Sequence, residues 1–175
     1  MKDLLLPCNG THTRSGINGI LVAEVDHPQG RVQVANVHLD PLRVWTMEER
    51  FALPAQLLWR QGAIHRSEIK QVFDNLRPDL PTLVLGDFNS ASQAAPNRLR
   101  ALGFTDSFAA VTQNPDRAHT LHFTLLGIHA GRRIDYIFHD RNFETMASRT
   151  SSGQPSDHDP VISVLSFQEE RRSDQ

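Results

Sequence analysis

Three short stretches of this chain bring together side chains able to handle a cation or a phosphate. The first, Leu83-Val84-Leu85-Gly86-Asp87-Phe88-Asn89, is an apolar run that ends abruptly in a carboxylate and an amide. The second is Arg133-Ile134-Asp135-Tyr136-Ile137, and the third is Ser156-Asp157-His158-Asp159-Pro160-Val161. A hard divalent ion calls for carboxylate and amide oxygens, and a phosphate for imidazole and amide donors. A fourth stretch, Asn36-Val37-His38-Leu39, adds a second imidazole. Each is ambiguous alone. An Asp after a strand is more often a turn former than a ligand, and a lone His on a strand is more often a hydrogen-bonded core residue.

These groups need elements to position them. Leu83–Leu85 reads as a buried strand, and Gly86 allows a sharp turn where the backbone surfaces. Asp87 and Asn89 then fall at the strand's carboxyl end, where α/β sheets gather their working groups. Ile20–Val25 and Val32–Leu39 flank the turn chemistry of His27-Pro28-Gln29-Gly30 and predict a β-hairpin. By two-residue alternation Val32, Val34, Asn36 and His38 share a face, as if the strand left a core and entered a cleft. Thr46-Met47-Glu48-Glu49 is a capping box; the helix after it carries Phe51, Ala55 and Leu58, with Pro54 as a kink point. Ile69, Val72, Phe73 and Leu76 sit at helical spacing and end before Pro78. A strand over Thr82–Leu85, a short helix near Asn97–Leu102 closed by Gly103, and strands over Ile134–Phe138 and Val161–Leu165 complete the pattern. Helices and strands alternate early and strands dominate late, which predicts a mixed α/β fold with a mixed sheet or two packed sheets.

The chain has 175 residues, enough for one domain with a sizeable core. Its 39% hydrophobic and 22% charged content is that of an ordinary globular protein, and a net charge of -2 gives no global attraction to nucleic acid or anionic membrane. A local basic patch would suffice for either. The single Cys8 excludes an intramolecular disulfide framework. Met1–Pro7 is far short of a signal peptide, and no run approaches the roughly 18–20 apolar residues of a membrane span. A soluble cytoplasmic protein is expected, with an irregular lead over residues 1–15, one domain over 16–167 and a disordered tail over 168–175.

Taken in order, the four motifs resemble the endonuclease/exonuclease/phosphatase superfamily of metal-dependent phosphoesterases. Gly103-Phe104-Thr105-Asp106-Ser107-Phe108 resembles the segment that follows the family's Gly-Asp-Phe-Asn motif. The resemblance runs from about Gly16 to Phe167 and implies a four-layer sandwich, two mixed β-sheets packed together with helices outside. It implies that Asp87 and Asn89 orient the attacking water and bind the scissile phosphate or a Mg²⁺ or Mn²⁺ ion. Asp157 would ligate the same metal. His158 would hold the phosphate or exchange a proton, with Asp135 accepting its other ring N–H, and His38 would be a second imidazole on the phosphate. The implied partner is a phosphodiester, with nucleic acid as the default and a lipid or inositol phosphate left open.

The chain departs from that family at its start. The resemblance implies an early strand bearing an Asn and another ending in a Glu that is the principal metal ligand. Glu24 falls inside the hairpin and Glu48 and Glu49 begin a helix, so none occupies that place. The domain is therefore expected to be N-terminally incomplete: a fragment, a degenerate relative that binds phosphate compounds without cutting them, or an oligomer whose partner covers the gap. Other residues carry bland readings. Asp159 is expected to face solvent or cap a strand, Arg132 and Arg133 to be surface charges or phosphate contacts, and Trp45 and Trp59 to pack. The spacing of His119, His122, His129 and His139 matches no zinc pattern.

Overall fold

The computed structural model describes residues 3–7, 19–41, 54–125, 127–153 and 155–168. The predicted hairpin is present and longer than its apolar runs: β2 (Gly19–His27) and β3 (Gly30–His38) pair antiparallel along their whole length. β1 (Asp3–Pro7) adds antiparallel to the other edge of β2, within the stretch expected to be irregular. Three leucines in a row carry no two-residue alternation, so this strand is recognisable only through its partner.

Helix α1 (Pro54–Asp74) follows and leads back to β4 (Thr82–Asp87), which lies parallel to β3. The stripes read separately around Leu58 and around Ile69 lie on this single helix. Its buried face runs through Gln61, His65, Glu68, Ile69 and Val72, while Ala55 is exposed. The capping box at 46–49, Phe51, Trp45 and the tail beyond Gln168 lie outside the described residues. α2 (Ala94–Ala101), β5 (Thr105–Asp106), α3 (Ser107–Val111) and a 3-10 turn (Pro115–Arg117) come next. The hairpin β6 (Leu121–Leu125) and β7 (Ile128–Arg132) then precedes β8 (Asp135–His139), β9 (Phe143–Thr150) and β10 (Val161–Phe167).

Six strands make one mixed sheet in the order β1-β2-β3-β4-β8-β5, while β9 with β10 and β6 with β7 form two-stranded sheets. The result is the expected mixed α/β architecture, several sheets flanked by helices. Ile20, Val22, Ala35, Val37, Leu39, Val84 and Phe138 on one face of the large sheet pack with Ile69 and Val72 of α1 and Leu99 of α2. Full burial of each of these Ile, Val, Leu or Phe side chains stabilises by about 1.5–3 kcal/mol. The opposite face, with Val32, Val34 and Leu83, looks toward Phe143, Leu165 and Phe167 across a cavity of about 350 Å³. The face shared by Val32, Val34, Asn36 and His38 is thus the sheet-to-sheet side, and its last two residues emerge at the end where β3 and β4 both finish.

Candidate active site

Strand register lines up the polar groups before any side chain is considered. His38, the last residue of β3, is the Cα partner of Asp87, the last residue of β4. Asp87 is in turn the partner of Asp135, the first residue of β8. Because β3 and β4 are parallel and β8 runs against them, all three fall on one row at one end of the sheet. Gly86 makes that row possible: its φ is +127°, and a Cβ there would collide with the carbonyl oxygen of Val37. Phe88, fully buried between Asp87 and Asn89 in the chain, holds the strand end down. Its N–H donates to the Ile134 carbonyl at 2.8 Å, and its ring meets Tyr136 edge-on at 5.2 Å.

His158 joins the row from the loop before β10. Its Nδ1 lies 3.0 Å from Oδ2 of Asp135, while Nε2 of His38 lies 3.6 Å from Oδ2 of Asp87. Asp87, Asp135 and His158 each offer a ligand atom, all within 4.8 Å of one another. They line a cavity of about 500 Å³ together with Leu85, Gly86 and Val161. Burial pushes the Asp87 carboxyl above its ordinary range and the Asp135 charge adds to this, against the Asn89 N–H and the two imidazoles. For His158 burial alone would lower the pKa, but Asp135, Asp87 and Asp157 outweigh it and raise the pKa. Two carboxylates and an imidazole at this separation suit a hard divalent cation, which would relieve the repulsion between the two acids.

Asn89 sits at φ +46°, its N–H donating to Oδ1 of Asp87 at 2.8 Å and its side-chain amide to the Leu39 carbonyl at 3.0 Å. It therefore ties the loop after β4 to the loop after β3. Asp157 is exposed; its backbone carbonyl accepts from the His122 N–H at 2.8 Å, and its carboxylate is not part of the close trio. Glu24 is engaged by Arg31 at 3.1 Å and Arg77 at 3.5 Å, at the opposite end of β2 from the site.

Sequence reasoning missed a row of supporting residues on α1. Gln61 donates to the Asn89 carbonyl at 2.8 Å and accepts from the Ser92 N–H at 3.1 Å. His65 Nε2 lies 2.8 Å from the Asp40 carbonyl and Nδ1 3.2 Å from the Ser90 hydroxyl. Glu68 accepts from the Asp40 N–H at 3.2 Å. All three are nearly inaccessible, and together they fasten the loops that follow His38 and Asp87. The signal was present: polar residues at i, i+4 and i+7 that run into an apolar stripe on the same helical face.

Several bland readings are corrected. Arg133 is buried and not a surface charge; it pairs with Asp106 through two nitrogens at 2.9 and 2.8 Å and stacks over Tyr136 at 4.4 Å. Burial would raise the Asp106 pKa, but Arg133 and then Arg100 hold it below the ordinary carboxylate range. Asp159 is buried too, and faces His122 Nε2 at 2.9 Å where exposure to solvent was expected. Trp59, expected to pack, is 73% exposed on α1 because its position falls off the helix's buried stripe.

Among the described residues no helix is long and apolar enough to cross a membrane. Comparison with curated protein sequences gave no match. Among solved structures the chain is similar to an endonuclease/exonuclease/phosphatase from Beutenbergia cavernae DSM 12333, with TM-score 0.69 and 21% identity over 95% of this chain and 45% of that one. It is similar to D. rerio TDP2 complexed with single-strand DNA product, with TM-score 0.65 and 14% identity over 95% of this chain and 68% of that one. It is also similar to the 3' phosphatase NExo from Neisseria bound to a product DNA hairpin, with TM-score 0.57 and 19% identity over 85% and 65%. The chain thus spans under half the length of the first and about two thirds of the others. Identities this low carry the fold alone. The profile of the Endonuclease/Exonuclease/phosphatase family matches residues 11–158, most of the chain, with three of the four motifs whole and the last through His158, and the chain belongs to that family.

Proposed function

We propose that this chain is a divalent-metal-dependent phosphoester hydrolase, a phosphodiesterase acting through one domain over residues 16–167. The observation that carries the reading is the convergence of Asp87, Asp135 and His158 within 4.8 Å beside His38. Asp87 and Asp135 would hold Mg²⁺ or Mn²⁺, with Asn89 and Asp157 as further oxygen donors from the adjoining loops. A bound ion would supply Lewis acidity and lower the pKa of a coordinated water. The chain's own part is charge and proton handling. His158, its charged form favoured by Asp135, and His38 would donate hydrogen bonds to the phosphate oxygens as negative charge gathers on them. His158 could also pass a proton at Nε2 while Asp135 fixes its orientation through Nδ1. Nucleic acid is the favoured substrate class, supported by the DNA products held by two structures of the same fold.

The test is hydrolysis of a model phosphodiester, bis(p-nitrophenyl) phosphate, by purified chain. Turnover should require Mg²⁺ or Mn²⁺, stop with chelator and disappear in Asp87→Ala and His158→Ala. Activity that survives exhaustive chelation, or wild-type rates in both variants, would remove the mechanism. The second reading is a phosphate-binding module without catalysis. It is favoured by the lack of a Glu among the described residues that line the cleft, and phosphate binding without metal-dependent turnover would support it.

A further inference from the structure

Thr120 lies at the junction of every segment that carries the Asp135–His158 pair. It is fully buried, just before β6. Its hydroxyl oxygen accepts two consecutive backbone N–H groups, those of Ile134 and Asp135, each at 3.0 Å. Its own N–H donates to the Arg132 carbonyl at 2.9 Å, and its carbonyl accepts from the Asp159 N–H at 2.7 Å. The next residue, Leu121, bridges directly to His158. One side therefore grips the backbone that presents Asp135, and the other grips the loop that presents His158.

Asp135 opens β8, so its N–H and that of Ile134 lie where the ladder to β4 has only begun. Buried N–H groups need an acceptor. A single hydroxyl oxygen has two lone pairs and can serve both. Both N–H groups share this one acceptor, which adds to the Asp87 ladder pairing and the Phe88–Ile134 bond in fixing where β8 begins. The bond between Asp135 and His158 is long-range, joining residues 23 apart in sequence. Thr120 joins the two backbones that carry this bond, through the Asp135 N–H on one side and the Asp159 N–H on the other.

We infer that Thr120 is a positioning residue that sets the separation and orientation of the Asp135–His158 pair through the Ile134 and Asp135 N–H groups. The inference rests on the reading of that pair as catalytic, but its geometry can be read without turnover. The experiment compares wild type, Thr120→Val and Thr120→Ser by ¹⁵N NMR of the imidazole nitrogens of His158, assigned with a His158→Gln variant. A core variant, Val72→Ala, controls for general loss of stability. In wild type and Thr120→Ser the Nδ1 signal should be that of a protonated nitrogen bonded to a carboxylate. In Thr120→Val it should move or broaden, and Val72→Ala should leave it in place. In hydrolysis, Thr120→Val should lower kcat by about 10–100-fold, the usual cost of losing a group that orients a working side chain, with KM unchanged and Thr120→Ser restoring the rate.

A folded Thr120→Val protein with wild-type His158 signals would overturn the inference. If Thr120→Val does not fold, Thr120→Ser decides: signals displaced in the serine variant would mean that the methyl, not the hydroxyl, is what matters. Wild-type protein without any metal-dependent turnover would refute the phosphodiesterase reading, while the imidazole signals would still report on Thr120.

Discussion

Asp87 and Asp135 face each other directly across the β4–β8 ladder, so two carboxylates share one rung at the mouth of the cleft. Like charges opposite one another in a sheet are destabilising, and burial compounds the cost for Asp87. A raised Asp87 pKa means that the folded chain holds a proton there more tightly than the unfolded chain. Its effect on stability is therefore most favourable at low pH and is lost as pH rises through the folded pKa.

Metal should consequently stabilise the protein through these two residues. Mg²⁺ or Mn²⁺ at a hundredfold excess over its Kd should add about 2.7 kcal/mol to unfolding. Asp87→Asn should unfold at or above the wild-type midpoint without metal and should gain little when metal is added. Differential scanning fluorimetry with and without Mn²⁺ measures both. An unchanged metal response in Asp87→Asn would place the ion elsewhere.

The Asp135–His158 bond predicts a titration. His158 should titrate above its ordinary value because Asp135, Asp87 and Asp157 together overcome its burial. Its contribution to stability is then full below the unfolded pKa of about 6.5 and fades as pH rises through the folded value. Asp135→Asn should bring the His158 pKa down and slow hydrolysis by about 10–100-fold. NMR titration of metal-free protein checks the first and steady-state kinetics the second. An unmoved His158 pKa would mean the bond contributes nothing electrostatically.

Much of this site was legible in the sequence because its parts are local. Gly86-Asp87-Phe88-Asn89 combines a backbone requirement, a core anchor and two polar groups in four residues. The hairpin around Pro28 was legible for the same reason, as was the end of α2 at Gly103. What could not be read depends on distant partners. β1 has no pattern without β2. Asp159 is buried only because β6 lies beside it, with His122 across from its carboxylate. Arg133 looks like a surface charge until β5 brings Asp106 alongside. Asp157, a metal ligand by the resemblance, is exposed on the loop whose next residue, His158, turns to Asp135.

The Arg133–Asp106 pair should matter for folding and not directly for chemistry. Their side chains are 5% and 2% exposed, so removing one partner strands a buried charge. Arg133→Leu should destabilise toward the lower end of about 3–5 kcal/mol, because Arg100 remains 2.7 Å from Asp106. The depressed Asp106 pKa also means stability present above the unfolded carboxylate pKa and lost as pH falls through the folded value. Urea unfolding at pH 7 and at pH 3.5 measures both effects. A loss under about 1 kcal/mol at neutral pH, the range of an exposed pair, would show that the ion pair is not what holds β5 to β8.

His65 should make the loops of the site sensitive to acid. Burial pushes its pKa down, while the Asp40 carbonyl and the charges of Asp40 and Asp87 only partly oppose this. Glu68, 4.0 Å away, is itself buried. A histidine with a depressed pKa is neutral in the fold and charged when unfolded at mild acidity. Its stabilisation is complete above pH about 6.5 and is lost as pH falls toward the folded value. The Asp40 carbonyl can only accept, so the neutral ring carries its proton on Nε2 and Nδ1 accepts from the Ser90 hydroxyl; a second proton on Nδ1 would turn that bond around. The loops after His38 and Asp87 should therefore loosen before the whole protein unfolds. Hydrogen exchange at Asp40, Ser90 and Ala91 should rise between pH 7.5 and 5.5 by more than the intrinsic pH dependence dictates. In His65→Gln that excess should vanish, although the variant should lose about 1–3 kcal/mol if glutamine leaves one of the two partners unmet. Equal excess exchange in His65→Gln would trace the acid response to another group.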